Sequence, residues 1–421
     1  DLNPKNREEI VLAGGIGVWS NPLPLISFLD GVLLGEWEAL EEEVIPLFLE
    51  FAFKKEELLG RLAAFEFFYS RDLAEKPIKI RKSYQLKDPL LSKITSEKSQ
   101  FKESYLLEVS KGCGRACRFC LAGYIYRPPR QYSQEALFEK IKEIPPHSKV
   151  GLIGLEFVDK VEVIRLAKEL LKRDITLTFS SLRLDALTDE FISLLNKTKS
   201  IALAQETASE KLKKVINKNI NNELVLKILE KFKKTNDKKI KFYFMFGLPC
   251  ESIEDFKENI KFIRELLKIK WPFKLVFNFS PFVPKPHTPF QWADFDLALL
   301  KRKKEILIKE LGRVCEIKIE SLKLALQQVL IARGDENLGE SLLSLAQGEP
   351  LNRVLKSIED LDAIFRPPKE KERSFPWERF DTHVSRDFLF SEWQRALEEK
   401  TTPSCKLNSC RLCSACNILK N

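Results

Sequence analysis

The sequence lacks several patterns, and each absence excludes a class of protein. No run of eighteen apolar residues occurs, so no transmembrane helix is predicted. Residues 1–30 lack the basic-then-apolar order of a secretory signal, which favours a cytoplasmic location without a membrane partner. Methionine occurs once, as Met245, and the chain opens with Asp1, so we expect the native start to lie upstream.

The sequence also lacks a large excess of either charge, because it has 70 Lys and Arg against 61 Asp and Glu, a net charge of +9. Lysine-rich helices between residues 209 and 270 carry much of this excess, and solvated helix faces explain most of it. Binding to nucleic-acid phosphates is the competing interpretation. Lysine and glutamate enrichment with few methionines is also typical of thermophilic proteins. Charge alone does not decide between these readings.

Cysteine is present in an uneven pattern of nine residues, with two tight clusters and two isolated positions. A secreted disulfide framework would spread cysteines more evenly through a smaller chain. The clusters therefore indicate metal centres in a reducing compartment. The isolated Cys250 and Cys315 have no neighbours at metal-ligand spacing and are predicted to be buried free thiols.

The first cluster lies within Glu108–Arg130, where Cys113, Cys117 and Cys120 follow a C-x3-C-x2-C spacing. Three thiolates so close in sequence face one point only if the backbone loops, and the glycines on either side of Cys113 permit that. Cysteine thiolates hold iron–sulfur clusters, and three ligands would leave one iron of a [4Fe–4S] cluster open. A zinc knuckle is the alternative, but zinc usually takes four ligands in paired C-x2-C units.

The second cluster closes the chain, with Cys405, Cys410, Cys413 and Cys416 spaced C-x4-C-x2-C-x2-C. Four-cysteine zinc sites usually separate two C-x2-C pairs by a longer spacer. The tight successive spacing is closer to ferredoxin-like iron–sulfur segments. We favour a second [4Fe–4S] cluster here, with zinc or no metal as the alternatives.

Between residues 101 and 312 apolar strand and helix patterns alternate. Repeated strand–helix units predict a parallel sheet with right-handed crossovers. Six units indicate an α/β fold with a partial (β/α)6 barrel, whose site lies at the carboxyl ends of the strands. The cysteine loop follows the first strand. The predicted strands are Tyr105–Val109, Lys149–Ile153, Thr176–Phe179, Ser200–Leu203, Ile240–Phe246 and Leu275–Phe279.

Three further segments flank this region. Residues 1–74 are predicted to be a partial α/β domain, with short strands at Ile10–Ala13 and Gly31–Leu34 around a Gly14–Gly15 turn, then helix over 36–72. Residues 75–100 lack sustained periodicity and are interpreted as a linker. Residues 313–421 are predicted to be a largely helical extension that ends in the four-cysteine metal site.

The C-x3-C-x-F-C arrangement, with Phe119 before the last cysteine, resembles the signature loop of the radical S-adenosylmethionine (SAM) superfamily. The runs GCGRACRFCLAGYIYRPPR, QETASEKLKKVINKN and FVPKPHTPFQW are similar to the group with a cobalamin-binding-like N-terminal domain and a Cys-rich C-terminus. The resemblance implies that the open iron binds SAM. Reductive cleavage would then give a 5′-deoxyadenosyl radical that abstracts hydrogen from a substrate.

The resemblance also implies cofactor contacts at Phe119 and, after the second, third and fourth strands, at Gly154, Glu156, Ser181, Arg183 and Glu206. Glu156 lacks the second glycine of the superfamily's Gly-Gly-Glu-like segment, which weakens that assignment. Capping or surface roles are the alternative for each residue. In the proline-rich segment 279–292, Lys285 and His287 are candidates for substrate contact or proton transfer, with a structural role as the alternative.

The leading interpretation is a radical SAM enzyme, and the resemblance suggests methyl or methylthio transfer to RNA or a ribosomal protein. An electron donor such as a flavodoxin or ferredoxin is expected as a partner, and the terminal cluster could relay an electron, ligate substrate or donate sulfur. Cobalamin binding is open, because the histidine-bearing loop of the resembled family would lie upstream and nothing in the chain matches it. The rival interpretation is an iron–sulfur or zinc-stabilised nucleic-acid-binding or electron-transfer protein without SAM chemistry.

Overall fold

The computed structural model describes residues 2–73, 78–99, 101–154, 161–179, 182–195, 198, 200–233, 238–405, 410 and 412–416. Its N-terminal block has strands β1 (Leu12–Gly14), β2 (Gly31–Leu33) and β3 (Phe68–Tyr69) and helices α1 (Ile16–Trp19), α2 (Glu41–Phe51) and α3 (Lys55–Leu62). Strands β1 and β2 are parallel, and β3 runs antiparallel to β2. The two predicted strands are confirmed, whereas the predicted helical stretch 36–72 contains two helices and ends with β3.

Residues 15–30 connect β1 to β2, and Gly15 begins this connection. Gly15 follows β1 with φ 85°, a conformation that costs a residue with a side chain more than it costs glycine. Nothing lies within 4 Å of the position that a Cβ of Gly15 would occupy. The turn therefore presents bare backbone to open space at the carboxyl end of β1.

Seven parallel strands form the partial barrel. The first three are neighbours in one sheet, in the order Ser104–Glu108, Lys149–Ile153 and Thr176–Phe179. The other four follow in sequence order in a second sheet: Ser200–Glu206, Lys239–Phe246, Lys274–Pro281 and Glu316–Ile319. A single parallel bridge from Leu182 to Leu203 connects the two sheets. The partial barrel is confirmed, and the strand Glu316–Ile319 extends it beyond the six predicted strands.

Helices cover the outside of these strands and continue into the C-terminal extension. In chain order they are α4 (Leu121–Ile125), α5 (Gln134–Lys140), α6 (Val161–Lys172), α7 (Asp189–Leu195), α8 (Glu210–Val215), α9 (Asn222–Lys231), α10 (Ile253–Leu267), α11 (Leu297–Leu311), α12 (Leu322–Arg333), α13 (Leu338–Ala346), α14 (Leu351–Ser357), α15 (Leu361–Phe365) and α16 (Arg386–Leu397). No helix among the described residues is long and apolar enough to cross a membrane.

Burial alternates along the strand Lys239–Phe246, and this alternation shapes the inside of the barrel. Phe242, Phe244 and Phe246 are fully buried, whereas Tyr243 and Met245 are only partly buried. Successive side chains of a strand point to opposite faces, so the phenylalanines pack among the apolar side chains beneath the helices. Phe244 stacks on Phe279 of the next strand at 5.4 Å between ring centroids. The other face is left to line a hollow rather than a packed core.

The predicted linker pairs with other parts of the chain. The two-residue strand Ile78–Lys79 runs parallel to Phe380–Asp381, and Leu91 bridges antiparallel to Leu107 in the first barrel strand. A buried lysine secures the crossing, because Lys82 Nζ donates to the carbonyl of Thr382 at 2.8 Å, 300 residues away in sequence. This segment therefore connects the N-terminal block, the barrel and the C-terminal extension.

One apolar cluster joins all three regions. It brings together Trp19 of α1, Tyr124 of α4, Trp292 of the proline-rich segment, Trp393 of α16 and Cys413 near the chain end. A separate cluster fills the space between the barrel strands and their helices. The cysteine loop thus has a wall that is built by both flanking regions.

Candidate functional site

The cysteine loop is closed at its base by a small hairpin. Ser110–Lys111 pairs antiparallel with Arg130–Gln131, directly after the first barrel strand. Gly112 has φ 77°, and a Cβ there would lie 2.5 Å from the carbonyl oxygen of Tyr126 and 2.9 Å from that of Pro128. Only glycine fits this position without displacing the backbone that returns from the loop.

Backbone and side-chain N–H groups surround the three thiols of the loop. The amide of Arg115 donates to Cys113 Sγ at 3.4 Å, and that of Gly123 donates to Cys120 Sγ at 3.4 Å as Cys120 caps α4. The Arg183 guanidinium donates to Cys117 Sγ at 3.2 Å. Burial, and then the charge of Cys117, raise the pKa of the Cys120 thiol to about 11. Donors of this kind stabilise sulfur that carries negative charge.

Among the described residues, no group of three or more Cys, His, Asp or Glu side chains is placed so that it could hold a metal ion. The assignment of Cys113, Cys117 and Cys120 as ligands therefore stays a prediction, as does that of the terminal cysteines. The features in its favour are the loop, the C-x3-C-x2-C spacing and the N–H donors that point at the sulfurs.

Two of the residues implied to contact SAM lie beside this loop. Arg183 reaches Cys117 and also forms an ion pair with Asp185, with Nη2 2.7 Å from Oδ2. Glu206, at the end of its strand, pairs with Lys218 at 2.7 Å, and both charges influence the pKa of Cys120. Gly154 follows the second barrel strand, whereas Glu156 and Ser181 lie outside the described residues. The SAM-binding roles of all five stay predictions.

A cavity of about 680 Å³, which we call the mouth cavity, opens beside the cysteine loop. Two loop residues, Phe119 and Leu121, form part of its wall, one on each side of Cys120. Met245 and Ser280 reach it from two neighbouring barrel strands, as the alternation along these strands requires. The rest of the lining is Pro281, Phe282, Val283, Lys285, Glu320, Ser321, Leu324, Ala325 and Gln328.

The two candidates in the proline-rich segment occupy different environments. Lys285 lines the mouth cavity, and its ammonium donates to Gln328 Oε1 at 3.1 Å. Desolvation lowers the pKa of Lys285 to about 8. His287 is only 4% exposed and does not line this cavity; burial lowers its pKa to about 4, and its Nε2 has no hydrogen-bond partner. The geometry thus brings Lys285, but not His287, to the mouth cavity.

The terminal cysteines lie against the outside of the cysteine loop. The amide of Cys405 donates to the carbonyl of Gly114 at 2.7 Å, and the carbonyl of Cys413 accepts from Ser385 at 3.0 Å. Burial raises the pKa of Cys405 to about 11, and the three other terminal cysteines are close enough to raise it further. Arg127 contacts Cys413 and lies over the ring of Tyr124 at 4.6 Å. A cation therefore stands between α4 and the terminal cysteines.

The sequence did not indicate the residue that connects the cysteine loop with the C-terminal extension. Arg118, between Cys117 and Phe119, is fully buried, and its Nε donates to Glu392 of α16 at 3.0 Å. Its Nη atoms donate to the carbonyls of Lys214, Val215 and Lys400. Nothing in the sequence joins residues 118 and 392, so a local pattern could not have found this pair.

Asn217 provides a second link. Its amide nitrogen donates to the carbonyls of Ala116, at 3.1 Å, and Thr402, at 3.0 Å.

The isolated Cys250 differs from expectation, because it is exposed and the predicted burial is wrong; Cys315 is half-buried. The structure thus separates seven clustered cysteines from two that belong to neither set.

A cleft of about 480 Å³ lies between the N-terminal block and the base of the cysteine loop. Gly14 and Gly15 line one side, and Lys111 and Tyr126 line the other. Lys111 pairs with Glu38 at 2.5 Å across the cleft. A cavity of about 1030 Å³ lies instead mainly among residues of the C-terminal extension, with Ser27 and Arg71 of the N-terminal block, and contains none of the predicted site residues.

Comparisons with known proteins agree with the barrel and loop. A family described as the Radical SAM superfamily matches residues 107–263. An uncharacterized protein, MJ0966, from Methanocaldococcus jannaschii is 32% identical over 350 residues, which cover 81% of this chain and 75% of that protein.

More distant similarities extend over smaller parts of the molecule. The ribosomal protein uS12 methylthiotransferase RimO of Thermosipho africanus is 25% identical over 182 residues, 39% of this chain and 42% of that one. This chain thus matches less than half the length of that enzyme. The methyltransferase TsrM from Kitasatospora setae, solved with cobalamin and a [4Fe–4S] cluster, has a TM-score of 0.49 at 14% identity, covering 67% of this chain and 58% of that chain.

Proposed function

Because the chain belongs to the radical SAM superfamily, we propose that Cys113, Cys117 and Cys120 hold a [4Fe–4S] cluster at which SAM is cleaved to activate a C–H bond. The observation that carries this proposal is the position of the three-cysteine loop, directly after the first barrel strand and beside the mouth cavity. When bound, the cluster would supply the electron that splits SAM into methionine and a 5′-deoxyadenosyl radical.

The residues present fit such a cluster. Three thiols on one loop match the ligand chemistry, and N–H groups of Arg115, Gly123 and Arg183 already point at the sulfurs. Hydrogen bonds to sulfur are one way in which proteins set the potential of an iron–sulfur cluster. The high pKa of the buried Cys120 thiol means that metal binding, rather than solution pH, would deprotonate it.

The other residues of the site would bind and orient SAM and exclude water. Glu206, held by Lys218, presents a carboxylate beside the loop for ribose hydroxyls or the SAM ammonium. Arg183 would fix the Cys117 side of the cluster through its hydrogen bond, with Asp185 holding the guanidinium in place. Phe119 and Leu121 shield Cys120 from the mouth cavity with apolar surface.

We also propose that Cys405, Cys410, Cys413 and Cys416 hold a second [4Fe–4S] cluster that relays an electron to the first. The backbone amide of Cys405 donates to the carbonyl of Gly114 in the loop, and the other three terminal cysteines are near enough to influence the pKa of Cys405, whereas none of the four lines the mouth cavity. That position favours electron relay over sulfur donation or substrate ligation at the mouth. An external flavodoxin or ferredoxin would supply the electron.

For the reaction class we propose methyl or methylthio transfer to RNA or a ribosomal protein. The support is the similarity to a methylthiotransferase that acts on a ribosomal protein, over less than half its length. Comparing the masses of RNA and ribosomal proteins from a deletion strain and its parent tests this step. An unchanged set of modifications in both classes would overturn it.

For cobalamin, whose binding the sequence leaves open, we propose the cleft between Gly14 and Tyr126 as the site. An absorbance titration with hydroxocobalamin tests it directly. A saturable spectral change that disappears when Gly15→Trp fills the cleft supports binding there. A spectrum that stays the same as that of free hydroxocobalamin throughout the titration would overturn cobalamin binding by this chain.

The central test is anaerobic reconstitution with iron and sulfide, followed by reduction in the presence of SAM. We expect about eight irons per chain, an electron paramagnetic resonance (EPR) spectrum that SAM perturbs, and formation of 5′-deoxyadenosine. If an intact cluster gives no 5′-deoxyadenosine, the rival interpretation of a binding or electron-transfer protein stands instead. Binding to bulk tRNA and rRNA at two salt concentrations then distinguishes these rivals, since phosphate contacts weaken with salt.

A further inference from the structure

We infer that the substrate group entering the mouth cavity is compact and mainly apolar and ends in a carboxylate or phosphate, which Lys285 binds. This inference rests on the proposed function, because it names the substrate class of the same site. It depends on the walls of the cavity, on the ionic state of Lys285 and on the position of both relative to the cysteine loop.

The walls of the mouth cavity are apolar over most of their extent. Leu121, Met245, Phe282, Val283 and Leu324 contribute from four different segments. Polar groups are few, and the carboxylate of Glu320 belongs to an exposed residue at the rim. A volume of about 680 Å³ lies in the range of small-molecule pockets, in which a few polar groups fix the orientation of an apolar ligand.

Lys285 differs from two other lysines that are withdrawn from water, because each of those pairs with a carboxylate. Lys303 pairs with the Glu251 carboxylate at 2.5 Å, and Lys218 pairs with Glu206 at 2.7 Å. Lys285, by contrast, forms no ion pair with any described residue, and its ammonium donates to the neutral amide oxygen of Gln328. An ammonium has three N–H donors, so two remain for a ligand.

A half-buried cation without a counter-charge is costly, and a bound anion removes that cost. The pKa of Lys285, lowered to about 8 by desolvation, is consistent with a missing counter-charge. Protein carboxylates fill this role at Lys303 and Lys218. At Lys285 the substrate would fill it.

The same cavity places the apolar part of the ligand against the cysteine loop. Phe119 and Leu121 flank Cys120 and both line the wall, whereas Lys285 contributes from the segment after the strand Lys274–Pro281. An anion on Lys285 would thus hold the remainder of the ligand toward the proposed cluster. The residues proposed for SAM, Arg183 and Glu206, end other strands and do not line this cavity.

The experiment measures binding of defined probes to the reconstituted full chain with SAM present, by anaerobic calorimetry. The anionic probes are octanoate and octyl phosphate, and octanol and octylamine are the uncharged and cationic controls. We expect both anions to bind at least about tenfold more tightly than octanol, as a charged hydrogen bond allows. Equal affinity for octanol and the anions would overturn the inference.

Three variants test the role of Lys285. Lys285→Gln should weaken anion binding about tenfold or more, whereas Lys285→Arg should keep it within about threefold. Gln328→Glu should also weaken it, because the new carboxylate would pair with Lys285. The matched control Lys323→Gln removes an exposed lysine of α12 that does not line the cavity, and anion binding should not change.

The affinity for SAM distinguishes the possible failures. If Lys285→Gln weakens SAM binding as much as anion binding, Lys285 serves SAM and the inference is wrong. Unchanged anion binding in Lys285→Gln and Gln328→Glu overturns it as well. Absence of 5′-deoxyadenosine from the wild-type chain with intact clusters would instead overturn the proposed function, whatever the probes do.

Discussion

The two cysteine sets of this protein differ in what lies around them. The loop set is built on the barrel, with a hairpin at its base, Gly112 at its sharpest turn and the mouth cavity beside Cys120. The surroundings of the terminal set come from other parts of the chain, since Cys405 contacts the carbonyl of Gly114 and Cys413 contacts Arg127. A metal cluster with three cysteines beside a cavity would suit coordination of SAM, and one with four cysteines packed on protein would suit electron storage.

Removing a loop cysteine should have the largest effect. Cys117→Ser should abolish formation of 5′-deoxyadenosine, because the site for SAM loses one of its three ligands. Iron analysis should show that roughly four irons remain in the terminal set. Cys250→Ser, at an exposed thiol outside both sets, is the control and should leave both iron and activity unchanged.

Removing a terminal cysteine should distinguish electron relay by the terminal set from SAM binding at the loop set. Cys410→Ser should lose roughly half of the iron yet keep the EPR signal that SAM perturbs. Activity driven by a flavodoxin should fall strongly, while activity driven by dithionite should persist because a small reductant reaches the loop cluster directly. Equal loss with both reductants would contradict a relay and favour a role in the chemistry.

Breaking the buried pair between the regions should destabilise both sets. Arg118→Gln removes the buried partner of the Glu392 carboxylate, which is 2% exposed and keeps Arg395 at 3.6 Å and the Thr402 hydroxyl at 2.6 Å. Complete loss of a buried partner costs about 3–5 kcal/mol of unfolding free energy, and the remaining contacts should hold the loss below that range. Thermal unfolding of the reconstituted chain measures this. The double variant Arg118→Met with Glu392→Met should regain part of the loss, and a double variant no more stable than Arg118→Gln would argue against the pair as the cause.

Removing the donor to one sulfur should shift the loop cluster only modestly. Arg183→Gln deletes the hydrogen bond to Cys117 Sγ and should lower the reduction potential of the loop cluster, since such bonds favour the reduced, more negative state. EPR-monitored redox titration should show the loop signal moving while the terminal signal does not. If both signals move together, the two sets are not electrostatically separate.

The smallest expected effect is the pH dependence of anion binding at Lys285 in the mouth cavity. Because desolvation lowers the pKa of Lys285 to about 8, this ammonium loses its proton as pH rises through that value. Binding of octyl phosphate should therefore weaken between about pH 7 and 9. In Lys285→Arg the profile should be flat over this range, since guanidinium stays protonated.

The strands of the barrel could be predicted because each is a short apolar run bounded by turn residues and followed by a helical pattern. The strand Glu316–Ile319 could not, since it alternates charged and apolar residues within a region of helical periodicity. It exists because its backbone completes the edge beside Lys274–Pro281. Tertiary pairing of this kind is invisible to a local pattern.

The site was only partly predictable for the same reason. Spacing identified the seven clustered cysteines, and strand ends brought Arg183 and Glu206 to the loop. The contact of Arg183 with Cys117, the pairing of Arg118 with Glu392 and the different environments of Lys285 and His287 depend on distant segments. Only folded geometry decides which of two neighbouring polar residues faces a cavity.

The crossing of Lys82 and Thr382, described above, has a consequence for how the protein is assembled on the ribosome. The carbonyl that receives the Lys82 ammonium belongs to a residue synthesised 300 positions later. Until that stretch emerges, neither the segment around residue 80 nor the surface around Gly114 can acquire its final cover. The back of the cysteine loop at Gly114 therefore stays uncovered during translation until Cys405, whose amide donates to the Gly114 carbonyl, has been synthesised.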